Sequence, residues 1–146
     1  MKTGITFGAF DLCHAGHNLM FSECKRNCEY LIVGLQVDPT FERQEKNKPV
    51  QTLFERFIQL NACKFVDQII PYATEKELRD ILLSFRIDIR ILGEEYKGKE
   101  FTGWNIPTEF YFNQRRHSFS TSELRQRVIE AEHERTMGRK ISSENS

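Results

Sequence analysis

Short apolar runs alternate along the chain with longer stretches in which apolar residues recur at helical spacing. Runs of a few apolar residues that end at Gly or Pro are typical of buried strands, and the helical spacing is typical of amphipathic helices. The predicted strands cover residues 4–8, 30–37, 65–70, 87–92 and 109–113. The predicted helices start near residues 17, 52, 74 and 120, and the last one ends near Ala131. This alternation predicts an α/β fold, a single Rossmann-like domain with about five parallel strands and helices on both faces of the sheet.

Several of these elements have clear boundaries in the sequence. Residues 30–37 are almost continuously apolar, which is typical of a central parallel strand that is covered on both faces. Pro71 is expected to end the third strand, and Thr74 followed by Glu77 matches a helix capping box. The apolar face expected for the second helix consists of Leu53, Phe54, Phe57, Ile58 and Leu60.

The chain has the size of one ordinary domain, 146 residues and 17.2 kDa. Residues 1–131 are predicted to form this domain, and the polar residues 132–146 a flexible C-terminal tail. The N-terminus lacks the pattern of a signal peptide, and no apolar run approaches the roughly 20 residues of a membrane span. We therefore expect a cytoplasmic protein without a membrane partner.

The charges of the chain balance. Lys and Arg together number 21, Asp and Glu together number 21, and the formal net charge is zero. A protein that binds a nucleic-acid backbone usually carries an excess of positive charge on the binding domain. We therefore expect no nucleic-acid partner, although a local basic site for a small anion is compatible with the balance.

The four cysteines are expected to be reduced thiols, because the chain carries no secretion signal. They are Cys13, Cys24, Cys28 and Cys63. A zinc site built from the first three and the nearby histidines is an alternative. The chain has no CxxC pair, however, and buried cysteines usually act as small hydrophobic residues.

Ligands of open parallel sheets bind beyond the carboxyl ends of the strands. The segments expected at that edge are residues 8–17, 38–50, 93–104 and 114–122. The first of them runs GAFDLCHAGH between a strand and a helix, where backbone N–H groups and the positive end of the helix favour a phosphate. His14 and His17 are close enough in sequence for both imidazoles to reach that anion, and Gly16 leaves room for its approach.

The pattern GxFDxxHxGH, from Gly8 to His17, resembles the signature of the cytidylyltransferase-like nucleotidyltransferases, in which the two histidines stabilise a reacting phosphate. Further segments resemble those of the family in the same order along the chain. They are Lys46 to Pro49 with Arg56, Lys64 to Asp67, Leu92 to Lys99, and Arg115 with Ser120 to Ser122. The resemblance covers about residues 3–130, which is almost the whole chain.

The resemblance implies transfer of CMP from CTP to a small phosphate monoester, with glycerol 3-phosphate as the favoured acceptor. It also implies a homodimer, and Mg²⁺ held mainly by the phosphates rather than by protein ligands. The residues implied for catalysis are His14, His17, Lys46 and Arg115, with Lys48 as the alternative to Lys46. Those implied for nucleotide binding are Gly8, Ala9, Phe10, Asp11, Gly16, Lys64, Gly93, Glu95, Ser120 and Thr121. Those implied for acceptor binding are Lys48, Arg56 and Tyr96.

The sequence departs from the family pattern around the expected ligands. Ala9 stands in place of Thr, Glu95 in place of Asp, Tyr96 in place of Trp, and Arg-His-Ser at 116–118 in place of Thr-Glu-Gly. These changes concern the substrate more than the reaction class. Phosphoethanolamine, phosphocholine or a sugar phosphate as acceptor, ATP as donor, and a non-catalytic nucleotide-binding protein are therefore kept as alternatives.

Overall fold

Five parallel strands form one sheet in the computed structural model, which describes residues 1–144. The strands are β1 (Thr3–Gly8), β2 (Tyr30–Gln36), β3 (Gln68–Tyr72), β4 (Ile89–Gly93) and β5 (Glu109–Asn113). The α-helices are α1 (Ala15–Asn27), α2 (Leu53–Asn61), α3 (Glu75–Ser84) and α4 (Thr121–Glu144). The strands lie in the order β3-β2-β1-β4-β5, so the strand order reverses beside β1. The predicted α/β class with a five-stranded parallel sheet is confirmed.

The two faces of the sheet contribute to two separate hydrophobic clusters. On one face, Val33 of β2 belongs to a cluster with Phe21 of α1 and Leu60 of α2. On the other face, Ile32 of the same strand belongs to a cluster with Leu78 of α3. β2 is therefore buried on both sides, as its continuous apolar sequence predicts, and helices cover both faces of the sheet.

The third strand starts later than the sequence indicates, and it includes Pro71 instead of ending before it. Pro71 pairs with Leu35 of β2 in the register of the sheet. Because β3 is an edge strand, a residue without a backbone N–H can be accommodated on its open side. Phe65 and Val66 pack against the core from the connection before the strand, which accounts for their apolar character.

Two threonines cap helices, one of them as the sequence predicts. The hydroxyl of Thr74 accepts a hydrogen bond from the Glu77 N–H at 3.1 Å, so the predicted start of α3 is confirmed. Thr52 and Glu55 form a complete capping box at the start of α2, with the Glu55 carboxylate 3.1 Å from the Thr52 backbone nitrogen. Side-chain oxygens thus replace the carbonyl partners that the first N–H groups of a helix lack.

The buried face of α2 differs from the predicted one. Phe54 is 71% exposed and Ile58 is 51% exposed, so placing these two residues in the core is wrong. Leu53 and Phe57 do pack against the core, and Leu60 is fully buried.

The last helix is longer than predicted, because α4 continues to Glu144 instead of ending near Ala131. Its second half is rich in Glu, Arg and Lys, which favour helix without needing a buried face. An ion pair between Arg135 and Glu132, 2.9 Å long, lies on its exposed surface. The flexibility of the segment 132–146 stays a prediction, and its residues 145–146 lie outside the described part of the chain.

All four cysteines are free thiols, and Cys24 and Cys28 are buried in the core beneath α1. Within residues 1–144, no group of three or more His, Cys, Asp or Glu side chains is placed to hold a metal ion. In the same range, no helix is both long enough and apolar enough to cross a membrane.

The buried face of α2, for which only apolar residues are predicted, also contains an arginine. Arg56 is only 1% exposed, and its guanidinium donates hydrogen bonds of 2.5–3.2 Å to backbone carbonyls. The acceptors are the carbonyl oxygens of Ala9, Gln36, Val37 and Gln51. Arg56 therefore joins the loop after β1, the end of β2 and the segment before α2. The structure gives Arg56 this structural role, and its contact with an acceptor substrate stays a prediction.

Replacing Arg56 with Met should lower the free energy of unfolding by at least about 3 kcal/mol, because several buried carbonyl groups would lose a charged donor. Urea denaturation measures this change. Arg139→Met, on the exposed surface of α4, is the matched control and should change stability by less than about 0.5 kcal/mol. Similar losses in the two variants would contradict the role assigned to Arg56.

Candidate active site

The loop after β1 makes a tight turn beneath the start of α1. Phe10 and Leu12 have positive φ angles of 48° and 61°, a backbone conformation that residues with a side chain rarely adopt. The Phe10 ring is buried under Gly8, where an added Cβ would lie 3.0 Å from the ring. The same ring meets His17 edge-on, with 5.3 Å between the ring centroids. The strained turn thus packs against the histidine that it precedes.

The two histidines form a reciprocal cap at the N-terminus of α1. Nδ1 of His14 accepts a hydrogen bond from the Gly16 N–H at 3.0 Å, and Nδ1 of His17 accepts one from the His14 N–H at 3.3 Å. The imidazole rings stack with 3.9 Å between centroids and 23° between planes. Spacing alone predicts that both rings face the same place, but not that each is oriented by a backbone N–H.

Both imidazoles are neutral at pH 7. Burial lowers the pKa of His17 to about 3, and it also lowers the pKa of His14, which the positive charge of Arg115 lowers further. Since each Nδ1 accepts a hydrogen bond, we assign the proton of each neutral ring to Nε2. Nε2 of His14 lies 3.0 Å from the hydroxyl of Thr121, the first residue of α4. The site therefore contains two uncharged N–H donors held in fixed orientation.

The start of α4 faces the start of α1 across this hydrogen bond. Ser120 caps α4, its hydroxyl accepting from the Glu123 N–H at 3.0 Å, as the sequence predicts. Arg115 lies in the loop before α4, and its guanidinium donates a hydrogen bond to the Phe119 carbonyl in the same loop. A cavity of about 450 Å³ lies here, and His14, Phe119 and Ser120 are among its lining residues. Two helix N-termini and a guanidinium make this place favourable for an anion.

A third histidine lies at the site without having been predicted as part of it. A Cβ on Gly16 would come within 2.8 Å of the His117 ring and 2.9 Å of the His14 ring, so only glycine leaves room for both imidazoles. His117 stacks on Phe119 with 5.2 Å between centroids and accepts the Phe119 N–H at 3.1 Å. The signal in the sequence was the departure from the family pattern at residues 116–118, which contain this histidine.

Asp11 anchors the loop that carries the basic residues 43–48. Its two carboxylate oxygens accept hydrogen bonds from the N–H groups of Val50, at 2.8 Å, and Gln51, at 3.0 Å. The Gln51 side chain in turn accepts the Leu12 N–H at 2.7 Å. Asp11 is 7% exposed. The structure thus gives it a positioning role between two loops, whereas the contact with a nucleotide stays a prediction.

Lys46 and Lys48 are exposed in this loop, and they form no ion pair among residues 1–144. Hydrogen bonds from Thr40 lower the pKa of Asp38, and the positive charges of Lys48 and Arg56 lower it further. The loop brings both lysines to the carboxyl edge of the sheet, but no contact joins them to the histidines.

Three further predicted residues lie at the end of β4 and in the turn after it. The Glu95 carboxylate folds back over Gly93 after β4, in the space that a Cβ on Gly93 would need. Tyr96 is partly exposed and meets Phe101 edge-on at 6.3 Å. Their roles in binding stay predictions.

Lys64 is exposed in the connection between α2 and β3, and its ammonium lies over the Phe65 ring, 5.1 Å from the centroid. This contact with a neighbouring residue does not bear on the predicted nucleotide binding by Lys64. The structure therefore leaves the nucleotide contact of Lys64 as a prediction.

Comparison with known families identifies the group to which this site belongs. The model of the family described as cytidylyltransferase-like matches residues 5–127, which include the histidine pair, the basic loop and the start of α4. The chain belongs to the cytidylyltransferase-like family. The resemblance drawn from GxFDxxHxGH is thereby confirmed.

Relatives in the family include proteins of very different length. The chain is 27% identical over 128 residues to the glycerol-3-phosphate cytidylyltransferase of Bacillus subtilis (strain 168), covering 88% of this chain and 98% of that relative. It is 33% identical over 129 residues to the bifunctional protein HldE of Campylobacter jejuni (strain 81116), covering 87% of this chain but 28% of that one. It is 28% identical to the ethanolamine-phosphate cytidylyltransferase of Arabidopsis thaliana, covering 95% of this chain and 35% of that one.

A solved structure shows the same fold at lower identity. The lipopolysaccharide core biosynthesis protein from Thermoplasma volcanium GSS1 superposes with a TM-score of 0.57 at 22% identity, covering 90% of this chain and 88% of that one. This similarity supports the Rossmann-like architecture of the cytidylyltransferase-like domain and carries no information on substrate.

The lowered pKa of His17 makes folding stability depend on pH. Between about pH 6.5 and about pH 3, the unfolded chain binds a proton on His17 that the folded chain does not bind, so stability falls as the pH falls. His17→Gln removes this contribution. From pH 7 to about pH 5, the wild type should therefore lose about 2 kcal/mol more than the variant in urea denaturation. Equal losses in both proteins would contradict a neutral, buried His17.

Proposed function

We propose that this protein is a cytidylyltransferase that transfers CMP from CTP to glycerol 3-phosphate and releases pyrophosphate. The observation that carries the proposal is the meeting of the N-termini of α1 and α4 at one cavity that His14 lines, with the His17 ring stacked on the His14 ring. This arrangement supplies hydrogen-bond donors and partial positive charge, which polyphosphate binding requires.

The chemistry needs little proton transfer, because the attacking group is already an anionic phosphate oxygen. That oxygen attacks the α-phosphorus of the nucleotide, a P–O bond forms, and the bond to the leaving pyrophosphate breaks. The protein must hold two anions together and stabilise the charge that develops on the phosphoryl oxygens. His14 and His17 would do so as Nε2–H donors, and Arg115 as a positive charge close to His14.

The basic loop would bring the acceptor phosphate to the nucleotide. We assign the bridging contact to Lys46, with Lys48 as its competitor, because both lie in the segment that Asp11 ties to the loop after β1. Arg56 fixes the same two segments from below. Two mutually repelling phosphates would thus be bound by the exposed lysines of a loop whose end is fixed by Asp11 and Arg56.

Mg²⁺ is proposed to enter with the triphosphate as part of the nucleotide substrate. Asp11, the carboxylate whose charge acts on His17, already has both oxygens occupied by backbone N–H groups. Phosphate oxygens and water would therefore supply most of the Mg²⁺ coordination, and the ion would neutralise charge on the triphosphate.

Glycerol 3-phosphate is proposed as acceptor because the Bacillus subtilis glycerol-3-phosphate cytidylyltransferase is matched over 98% of its length by this chain. Phosphoethanolamine is the second candidate, favoured by the name of the Arabidopsis relative. Phosphocholine, a sugar phosphate, and ATP as donor complete the set to be tested. We also propose a homodimer, which sedimentation equilibrium would measure.

The deciding assay is pyrophosphate release in the presence of Mg²⁺, with CTP, ATP, GTP and UTP each combined with these phosphate monoesters. We expect turnover with CTP and glycerol 3-phosphate. Turnover with another pair would correct the substrates and keep the reaction class. If no pair reacts but CTP raises the melting temperature, either the acceptor is outside this set or the protein binds nucleotide without catalysis. No reaction and no thermal shift with any nucleotide would contradict the proposal.

Replacing His14 or His17 with Ala should lower kcat by about 10²- to 10³-fold, because each removes one oriented donor from the transition state. His133→Ala is the matched control, since His133 lies on the exposed surface of α4. It should retain the wild-type rate. Circular dichroism would confirm that the variants are folded, and a wild-type rate in either active-site variant would refute the assignment.

A further inference from the structure

A second arginine is buried inside the molecule, on the face of the sheet that α3 covers. Arg90 is the second residue of β4 and is 4% exposed. Its guanidinium is placed between two aromatic rings, 5.2 Å from the centroid of Phe7 and 5.0 Å from that of Phe101. Burial lowers its pKa to about 10, so the group remains positively charged at pH 7.

The polar atoms of Arg90 are poorly satisfied. One hydrogen bond is formed, from Nη1 to the Thr102 carbonyl, and the buried Nε has no partner. No ion pair among residues 1–144 includes Arg90. Arg56, by comparison, is equally buried but donates to several carbonyls. The charge of Glu75 favours the protonated guanidinium, but Glu75 forms no ion pair with it. A buried guanidinium with neither a directly bound anion nor a set of carbonyl acceptors is costly, so its surroundings require an explanation.

A cavity of about 220 Å³ lies beside Arg90, and we name it the α3 cavity. Its walls are apolar and polar in nearly equal parts, and they include Leu82, Phe85, Ile106 and Pro107 together with Arg86 and Arg90. It shares no lining residue with the cavity at His14. Other lining residues directly precede β4 and β5, so it lies toward the amino edge of the sheet, opposite the candidate active site.

Gly103 keeps the space next to the guanidinium open. A Cβ at this position would lie 2.9 Å from Nη1 of Arg90 and 2.6 Å from the Leu82 side chain. The φ angle of Gly103 is +82°, so the loop conformation also favours glycine there. The loop over the α3 face therefore contains its smallest residue where the charged group and the apolar wall meet.

We propose that the α3 cavity binds a small organic carboxylate with a branched or aromatic apolar group. The carboxylate would accept hydrogen bonds from the Arg90 guanidinium, a pairing that can be bidentate, and the apolar group would contact the Leu82 and Phe85 side of the cavity. A dry cavity of about 150 Å³ is large enough to bind benzene, so a ligand of benzoate size matches the available space. The site is independent of the nucleotidyl transfer proposed above.

The test uses the full chain and compares benzoate and isovalerate with their neutral amides and with acetate. Isothermal titration calorimetry measures affinity, and the ¹H–¹⁵N spectrum reports whether the Gly103 amide is perturbed. We expect benzoate or isovalerate to bind at least about tenfold more tightly than the matching amide, because the amide loses the charged hydrogen bonds. Acetate, which lacks the apolar group, should bind more weakly than either.

Variants separate this site from the active site and from a purely structural role of Arg90. R90M should weaken carboxylate binding at least about tenfold, R90K should restore part of it, and R139M on α4 should leave it unchanged. H17A should bind carboxylate as the wild type does, because His17 belongs to the candidate active site and does not line the α3 cavity. If R90M does not fold, R90K and the comparison of acid with amide still decide the question.

Equal affinity for acid and amide, full affinity in R90M, or no binding of either carboxylate up to its solubility limit would overturn the proposal. Acetate binding as tightly as benzoate would also overturn it, since the apolar walls would then contribute nothing. Loss of carboxylate binding in H17A would place the ligand at the active site instead. None of these results bears on turnover with CTP, so the two proposals fail separately.

Discussion

The hydrogen bonds from the Arg56 guanidinium to backbone carbonyls hold the chain segments from which the candidate site is built. The loop after β1, the end of β2 and the segment before α2 have carbonyl groups that point inward at one place, where water is excluded. Without a donor at that place these groups would be unsatisfied. Asp11 adds a second connection between the same loops through the N–H groups of Val50 and Gln51. A cation and an anion, each satisfied by backbone, therefore position loops that carry the predicted site residues.

The histidine pair contributes to the site in a different way from the buried charges of Arg56 and Asp11. A cationic imidazole would seem the natural partner of a phosphate, yet burial and the neighbouring Arg115 keep both rings neutral. A neutral ring with its Nδ1 occupied is a donor of fixed direction, and its orientation does not change with pH near neutrality. Positive charge is supplied instead by Arg115 and the helix N-termini. The site thus separates direction, given by the imidazoles, from charge, given by a guanidinium and two helix N-termini.

The sequence predicted the fold well because its main signals are local. Apolar runs and helical spacing locate β1, β2, β5 and the start of each helix, and GxFDxxHxGH locates the turn between β1 and α1. The errors concern non-local facts. Pro71 lies within a strand because that strand is at the edge of the sheet. Phe54 is exposed because the buried face of α2 contains Arg56 and Leu60, and Phe54 lies on a different face of the helix. His117 reaches the site from a loop distant in sequence, which no spacing rule along one helix could indicate.

The hydrogen bond between His14 and Thr121 has a consequence for selectivity. The His14 Nε2–H, which would donate to a phosphate, is hydrogen-bonded to the Thr121 hydroxyl in the structure. An incoming group must displace that hydroxyl, so binding is an exchange of one partner for another. A neutral ligand would exchange one neutral hydrogen bond for a similar one and gain little. An anionic oxygen would exchange it for a shorter, charge-assisted bond of roughly twice the strength. The Thr121 hydroxyl would therefore favour the binding of an anionic ligand over that of a neutral one.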